Sequence, residues 1–390
     1  MRATSFRKIA EQIMARCDEL AAITDESGGI TRTFHSPAMQ RANALAGSWM
    51  NAAGLEVSED AAFNLIGRWP SANAKAKTLL LGSHLDTVRD AGKYDGPLGV
   101  VLALATVEHL KQQGIELPFH VEIIGFSDEE GVRYQTAYLG SRAIAGTLTK
   151  KDLDLIQEKG IEKAKRPKGE FFAYTEVHIE QGPVLQARNR AVGLVTAIAS
   201  QSRIRIGFKG SAGHAGTTPM DLRRDAMAGA AEFIVLVEKC GVTATVGQLE
   251  AIPGASNVIP GEVRLTLDIR DQKDAKRIAA IGALKTKAEA IAKKRGLELT
   301  WKVMQETSSV PCDPDLMALL KKAILRHEGE VISLPSGAGH DAAAISRICP
   351  VAMLFIRCKD GISHNPAESV RAPDVAKAAA VLADYIVSLK

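Results

Sequence analysis

Residues 77–87 read KTLLLGSHLDT, an apolar run that ends in a short polar segment. A continuous apolar run with polar residues at its end is typical of a strand that is buried on both faces of a sheet. The same pattern returns at Phe119–Phe126, Ala173–Ile179 and Val351–Arg357, and helical patterns such as Pro97–Gln113 separate these strands. Strands that alternate with helices in this way predict an α/β fold with a mainly parallel sheet.

The pattern of apolar and polar residues changes between residues 190 and 305. Predicted strands there, such as Val192–Ala199, alternate in polarity as half-exposed strands do. A helix is predicted at Pro219–Cys240, and the order of elements in this stretch is β-α-β-β-α-β. We therefore predict an inserted α+β lid or dimerisation domain, with a four-stranded antiparallel sheet and two helices, at residues 190–305. The larger domain then consists of residues 1–189 and 306–390.

Composition and charge exclude several classes of protein. The chain has 390 residues and a net charge of +4, with basic residues spread along its length, which does not predict binding to nucleic acid. No apolar run approaches the roughly 20 residues that cross a bilayer, and the charged N-terminus does not resemble a signal peptide. The five scattered cysteines fit free thiols in a reducing compartment. We expect a cytoplasmic protein without a membrane partner.

Ionisable side chains follow the first two buried strands, where ligands bind in open α/β sheets. His84 follows the first strand, Asp86 could hold its imidazole in one tautomer, and Asp95 lies in a turn between glycines. Glu129 and Glu130 follow the second strand as adjacent carboxylates, a pair that needs a cation if both are to stay ionised. Taken singly, Asp95 could also be an Asx-turn residue, and the Glu pair a solvated loop.

Two more histidines come at the ends of later strands. His178 ends the strand Ala173–Ile179, and His364 lies in the loop after Val351–Arg357. Either one alone fits a structural role. Together with the earlier residues they give three histidines and two carboxylates, a set of nitrogen and oxygen ligands that suits zinc, manganese or cobalt. The combination therefore predicts a metal site at the carboxyl ends of the strands.

The motifs of the chain resemble those of a known family in the correct order from about residue 30 to residue 370. They read GSHLDT, GKYDGPLG, FSDEEG, GSRAIAG, VHIEQGPVL, GHAGTTPM, RRDA, NVIPG, LDIR, SGAGHDA and GISHNPAE. They are similar to the amidase/hydantoinase/carbamoylase branch of the M20 metallopeptidase family. That branch includes allantoate amidohydrolases, N-carbamoyl-L-amino acid hydrolases and β-ureidopropionases, and no ligand position of the chain departs from its pattern.

The resemblance implies a role for each matching residue. It implies two divalent metal ions per subunit, zinc or else manganese or cobalt, which share one bridging carboxylate. The metal ligands would be His84, Asp95 and His178 for one ion, and Asp95, Glu130 and His364 for the other. Catalytic roles would fall to Glu129 as general acid and base, to Asp86 and to His214. Substrate contacts would come from Gln181, His214, Asn257, Arg270 and His340, with Asp341 close to the site.

The resemblance also implies a reaction and an assembly. The expected activity is hydrolysis of a linear ureido carbon–nitrogen bond, with allantoate as the leading substrate, and with release of ammonia and carbon dioxide. The alternative substrates are N-carbamoyl-L-amino acids and N-carbamoyl-β-alanine. Relatives form homodimers through the inserted domain, and we expect the same here.

Three other interpretations remain open from the sequence. The run Gly337–Ala342 matches the dinucleotide-binding pattern G-x-G-x-x-A, but the polar His340 and Asp341 stand where a phosphate would approach. A non-catalytic binding protein on the same fold is a second alternative. A peptidase or aminoacylase is the third, and His178 counts against it because the peptidase relatives usually carry a carboxylate at that position.

Overall fold

The computed structural model describes residues 3–389. Its helices are α1 (Ala3–Ala21), α2 (Pro37–Ala52), α3 (Pro97–Gln112), α4 (Leu139–Ala145), α5 (Lys150–Leu155), α6 (Val184–Ala187), α7 (Ala226–Val237), α8 (Asp274–Arg295), α9 (Pro314–Glu328), α10 (Asp341–Ile345) and α11 (Ala372–Ser388). Its strands are β1 (Glu56–Glu59), β2 (Leu65–Trp69), β3 (Thr78–His84), β4 (His120–Phe126), β5 (Phe171–Ile179), β6 (Val192–Ile198), β7 (Ser200–Lys209), β8 (Gly213–His214), β9 (Thr243–Ile252), β10 (Val258–Ile259), β11 (Glu262–Asp271), β12 (Glu298–Thr307), β13 (Val310–Pro311), β14 (Ser333–Ser336) and β15 (Val351–Ile356).

The chain divides into two compact units. The first consists of Met1–Thr196 and Cys312–Lys390, and the second of Ala197–Pro311. The second unit is thus an insertion in the chain of the first. Compared with the predicted range 190–305, it begins seven residues later and ends six residues later.

A nine-stranded sheet, most of whose strands belong to the first unit, has the order β1-β2-β4-β3-β5-β15-β6-β13, with β14 paired to β6. The four strands β4, β3, β5 and β15 are parallel to their neighbours within this group. The flanking pairs of β2 with β4 and of β15 with β6 are antiparallel. The carboxyl ends of the four parallel strands therefore meet at one edge of the sheet, which confirms the predicted α/β class.

Helix α3 is buried against this sheet because residues 97–107 are almost entirely apolar. It packs on β3 and β5, and on α1 and α11 from the other side. The helix begins directly after Gly96, which has φ 86°. A Cβ atom at Gly96 would lie 2.4 Å from the imidazole of His84, so only glycine leaves room for that side chain at the start of the helix.

The second unit is a separate α+β fold. Its antiparallel sheet has the order β12-β7-β11-β9, and α7 and α8 pack against each other and on this sheet. Phe208 and Phe233 lie fully buried between the sheet and the helices. The order β7-α7-β9-β11-α8-β12 agrees with the predicted β-α-β-β-α-β pattern.

Two predicted elements are wrong. The segment Val192–Ala199 is not a half-exposed strand of the insertion, because β6 is almost wholly buried and pairs with β15 in the large sheet. The predicted helix Pro219–Cys240 begins only at Ala226. The carboxylate of Asp225 accepts hydrogen bonds from the backbone N–H groups of Met227 and Ala228, and this N-cap fixes the start of the helix.

No helix among residues 3–389 is both long and apolar enough to span a membrane. All five cysteines are free thiols. The expected cytoplasmic location stays a prediction.

Gly82 offers a test of the packing between β3 and β4. Its φ is 152°, and a Cβ atom there would lie 2.0 Å from the carbonyl oxygen of Ile124. We expect Gly82→Ala to lower the free energy of unfolding by about 1–3 kcal/mol, the usual cost of overpacking. As a control, Gly282→Ala on α8, where a Cβ meets nothing within 4 Å, raises it by about 0.5–1 kcal/mol. Urea unfolding measures both, and a wild-type transition for Gly82→Ala would contradict the packing.

Candidate metal centre

The residues predicted as metal ligands all lie at the carboxyl edge of the parallel strands. His84 is the last residue of β3, and His178 is the last but one of β5. Asp95 lies between β3 and α3, Glu130 follows β4, and His364 follows β15. Residues far apart in the sequence thus meet because parallel strands end at the same edge.

The carboxylate of Asp95 lies between two groups of side chains. Its Oδ1 atom is 3.1 Å from Nε2 of His178 and 3.8 Å from Nε2 of His84. Its Oδ2 atom is 3.2 Å from Nε2 of His364, which is in turn 3.3 Å from Oε1 of Glu130. Each group offers three ligand atoms within 4.8 Å of one another. Asp95 is therefore placed to contribute one oxygen to each group.

Two of the histidines are held in the tautomer that a metal needs. Nδ1 of His84 lies 3.0 Å from the carbonyl oxygen of Asp86, and Nδ1 of His178 lies 2.9 Å from that of Ile179. A carbonyl oxygen only accepts hydrogen bonds, so Nδ1 carries the proton in both rings. Nε2 is then the ring atom that faces Asp95 and that would bind a metal ion in place of its proton, which is how a metal-binding histidine is usually oriented.

Asp86 connects the loops after β3 and β4. Its side chain is 1% exposed. Oδ1 accepts a hydrogen bond from the backbone N–H of Glu129 at 3.0 Å, and Oδ2 accepts one from Glu130 at 3.1 Å. Oδ1 also lies 3.5 Å from Nδ1 of His84. One buried carboxylate thus positions a histidine and both glutamates.

Charge in this cluster is unbalanced without a cation. Burial, followed by the negative charge of Glu130, raises the pKa of Glu129 well above its usual value. Hydrogen bonds with Asp95 and then with Glu130 raise the pKa of His364 to about 10. Burial alone would raise the pKa of Asp95, but its hydrogen bonds with His178 and His364 bring it well below the usual range. The histidines here take protons that a metal ion would replace.

The donor atoms fit divalent metal ions. Imidazole nitrogen and carboxylate oxygen suit zinc, manganese and cobalt, and the hydrogen bonds at Nδ1 of His84 and His178 orient Nε2 of each ring toward Asp95. The described part of the chain therefore contains candidate metal-binding clusters, as the sequence predicted. The identity and number of the ions stay predictions.

A further group, Glu176, His178 and His340, also brings ligand atoms within 4.8 Å. The oxygens of Glu176 are already engaged, because they accept hydrogen bonds from the hydroxyls of Ser83 and Tyr174 and from the backbone N–H of Ala342, each at 3.1 Å. We interpret this group as a hydrogen-bonded set of residues that supports His178, rather than as another metal site.

His340 and its neighbour Asp341 are both buried. His340 is 1% exposed, packs against the rings of His178 and Phe355, and has Nε2 2.7 Å from the hydroxyl of Ser336. Asp341 is fully buried and accepts a hydrogen bond from Ser141 at 2.6 Å. The substrate-binding role predicted for His340 stays a prediction, and in this structure the residue is buried beside His178.

Gln181 contacts the central carboxylate directly. Its Nε2 group donates to Oδ2 of Asp95 at 2.9 Å and to the hydroxyl of Ser363 at 3.1 Å. Ser363 also donates to Oδ2 of Asp95. Ser363 and Glu368 were not among the predicted site residues, although both lie in the motif GISHNPAE. The only indication of a role in the sequence is their position near His364.

The remaining predicted residues lie in the second unit. His214 is exposed on β8 and pairs with Val258 of β10. The backbone carbonyl of Asn257 accepts a hydrogen bond from the N–H of Ala215 at 2.9 Å, so Asn257 and His214 are near each other. Arg270, on β11, donates from Nε and Nη2 to the two oxygens of Asp268 at 2.8 and 3.0 Å. Their roles stay predictions.

Comparison with known proteins identifies relatives over almost the whole chain. The chain is 40% identical to allantoate deiminase 2 of Glycine max over 433 residues, which cover 98% of this chain and 90% of that protein. It is also 40% identical to N-carbamoyl-L-amino acid amidohydrolase of Geobacillus stearothermophilus, with 95% and 96% covered. The crystal structure of an amidase of the hydantoinase/carbamoylase family from Burkholderia multivorans matches with a TM-score of 0.91 at 32% identity, covering 97% of each chain.

The model of peptidase family M20/M25/M40 matches residues 80–388. These matches confirm the family predicted from the motifs, and they agree with the fold of both units. The chain therefore belongs to peptidase family M20/M25/M40, among its amidohydrolases of carbon–nitrogen bonds other than peptide bonds.

Proposed function

We propose that this chain is a two-metal amidohydrolase that splits a linear ureido carbon–nitrogen bond, with allantoate as its substrate. The observation that carries the proposal is the position of Asp95 between two groups of ligand atoms. The 40% identity to an allantoate deiminase supports the choice of substrate. The ions would be zinc, or else manganese or cobalt.

The proposed ligands of one ion are His84, Asp95 and His178, and those of the other are Asp95, Glu130 and His364. When bound, a pair of such ions supplies electrophilic activation of a carbonyl group and makes water more acidic. Asp86 and the backbone carbonyls at Asp86 and Ile179 keep the histidines and glutamates in place for these ions.

Glu129 is the proposed general acid and base. It takes a proton from water as the water oxygen bonds to the ureido carbon, and it returns that proton to the departing nitrogen as the carbon–nitrogen bond breaks. Burial and the charge of Glu130 raise its pKa, which suits a group that must accept and then donate a proton. The carbamate that results breaks down to ammonia and carbon dioxide, so one water is consumed per substrate.

Arg270, Asn257 and His214 are the proposed substrate contacts in the second unit. Asp268 holds two nitrogens of Arg270 in a planar, two-pronged pair, and a guanidinium fixed in this way suits recognition of the substrate carboxylate. His214 would donate to the oxygen that develops negative charge. Gln181 is the proposed contact beside Asp95. The proposal includes a homodimer formed through the second unit.

N-carbamoyl-L-amino acids are the second candidate substrates, with N-carbamoyl-β-alanine beside them. The Geobacillus stearothermophilus N-carbamoyl-L-amino acid amidohydrolase is also 40% identical to the chain, so identity alone does not separate these substrates. All of them present a ureido group and a carboxylate, and the proposed mechanism is the same for each.

Glu129→Gln tests the proposed chemistry. The protein is stripped with a chelator, each of zinc, manganese and cobalt is restored separately, and ammonia release from allantoate is measured. We expect metal-dependent turnover by the wild type. In Glu129→Gln, kcat should fall by about 100- to 10,000-fold, the usual contribution of a general acid or base, while the metal content stays at the wild-type level.

Parallel assays with N-carbamoyl-L-amino acids and N-carbamoyl-β-alanine identify the substrate. Turnover of only a carbamoyl amino acid would keep the mechanism and replace allantoate. Unchanged kcat in Glu129→Gln would contradict the assignment of the general base. A wild-type protein without metal-dependent hydrolysis of any of these compounds would contradict the proposed function.

Arg270→Lys tests recognition of the substrate carboxylate. Lysine keeps the charge but loses the two-pronged contact, and loss of a hydrogen bond to a charged group lowers kcat/KM by about 10- to 100-fold. Arg203→Lys is the matched control, because Arg203 also pairs with Asp268, at 3.3 Å, with its side chain 56% exposed. Equal losses of kcat/KM in the two variants would contradict the specific role of Arg270.

A further inference from the structure

Glu368 is a buried carboxylate that the proposed mechanism does not use. It is 4% exposed and lies four residues after His364 in the loop that follows β15. Its Oε1 atom accepts hydrogen bonds from the backbone N–H groups of Tyr94 at 2.7 Å and of Asp95 at 3.1 Å. The side chain of Glu368 therefore holds the backbone of Asp95, although the two residues are far apart in the sequence.

The turn before Asp95 is shaped to receive this carboxylate. A Cβ atom at Gly92 would lie 2.3 Å from Cδ of Glu368 and 2.4 Å from its Oε1 atom. Only glycine at position 92 lets the turn approach the glutamate this closely. The close approach and the two hydrogen bonds fix the backbone on both sides of Tyr94.

The same loop contacts Asp95 at both ends of the residue. Ser363 and His364 contact its carboxylate oxygen Oδ2, and Glu368 contacts its backbone N–H. The loop is itself fixed, because the N–H of Glu368 donates to the carbonyl of Asn365 at 3.0 Å, and the N–H of Lys359 donates to that of Ser369 at 2.8 Å. Asp95 is thus fixed in position and in rotation relative to His364.

We propose that Glu368 is a positioning residue of the metal centre, which fixes the backbone of Asp95 so that its two carboxylate oxygens face the two ligand groups at once. The inference rests on the proposed function, in which Asp95 and His364 bind metal. It extends that function by assigning the geometry of the shared carboxylate to Glu368, whose second oxygen, Oε2, has no hydrogen-bond partner in the described part of the chain. What matters in this role is an acceptor oxygen at the correct reach.

Variants of Glu368 separate reach from charge. Glu368→Gln keeps an oxygen at the same reach, while Glu368→Asp keeps the charge but is one methylene shorter. Glu368→Ala removes the acceptor. Apoprotein of each variant is titrated with Zn²⁺ against a competing chelator, its metal content is measured by atomic emission, and its thermal unfolding is recorded.

We expect Glu368→Ala and Glu368→Asp to bind zinc about 10- to 100-fold more weakly, as is usual when a partner of a metal ligand is lost. Glu368→Gln should bind zinc nearly as tightly as the wild type. If Glu368→Ala does not fold, the comparison of the Asp and Gln variants decides. Wild-type affinity in both Glu368→Ala and Glu368→Asp would overturn the inference, and so would a Gln variant as weak as the Asp variant.

Glu328→Ala is the matched control for the loss of a buried carboxylate. The side chain of Glu328 is buried, accepts a hydrogen bond from the backbone N–H of Ala191 at 2.9 Å, and pairs with Lys377. It should lower the unfolding temperature and leave zinc affinity unchanged. His364→Ala should lose zinc. A wild-type protein that binds no stoichiometric zinc would contradict the proposed function, whereas equal zinc binding by wild type and all Glu368 variants would contradict only this inference.

Discussion

The arrangement of the first unit depends on the cost of burying several carboxylates at one edge of a sheet. Asp86, Asp95 and Glu129 are each less than a tenth exposed, and like charges that close resist ionisation together. Hydrogen bonds from backbone N–H groups satisfy Asp86, and imidazoles surround Asp95. For Glu129, burial and the negative charge of Glu130 outweigh the charge of His84, and its pKa is raised well above the usual value. A pair of cations between these groups would balance the remaining charge.

The fold makes this arrangement possible because the residues that form the core are separate from the ionisable residues of the site. The parallel strands carry apolar side chains into the core, and helix α3 covers them with a sequence that is mainly apolar. The ionisable residues lie at the ends of these strands or in the loops that follow them, and these loops are far apart in the sequence. Hydrogen bonds between these loops, such as those of Asp86 and Glu368, then fix distances that the strands alone leave free. The positions of the proposed metal ligands therefore depend on residues, such as Asp86 and Glu368, that are not themselves proposed ligands.

Much of the fold was predictable from the sequence, because apolar runs and helical periodicity reflect burial directly. The exceptions are instructive. The start of α7 depends on the cap by Asp225, and the place of β6 depends on which sheet it joins; neither follows from periodicity. For the site, a position at the carboxyl end of a buried strand indicated His84 and His178. The contacts of Ser363 and Glu368 were not predictable, because they join residues more than 260 positions apart.

The proposal that Asp95 contributes one oxygen to each of two metal ions can be tested by the anomalous scattering of crystals of the zinc-loaded protein. Two peaks are expected on either side of the Asp95 carboxylate, about 3.5–4 Å apart, with one close to Nε2 of His84 and His178 and the other close to His364 and Glu130. A single peak, or peaks that do not both contact Asp95, would contradict it.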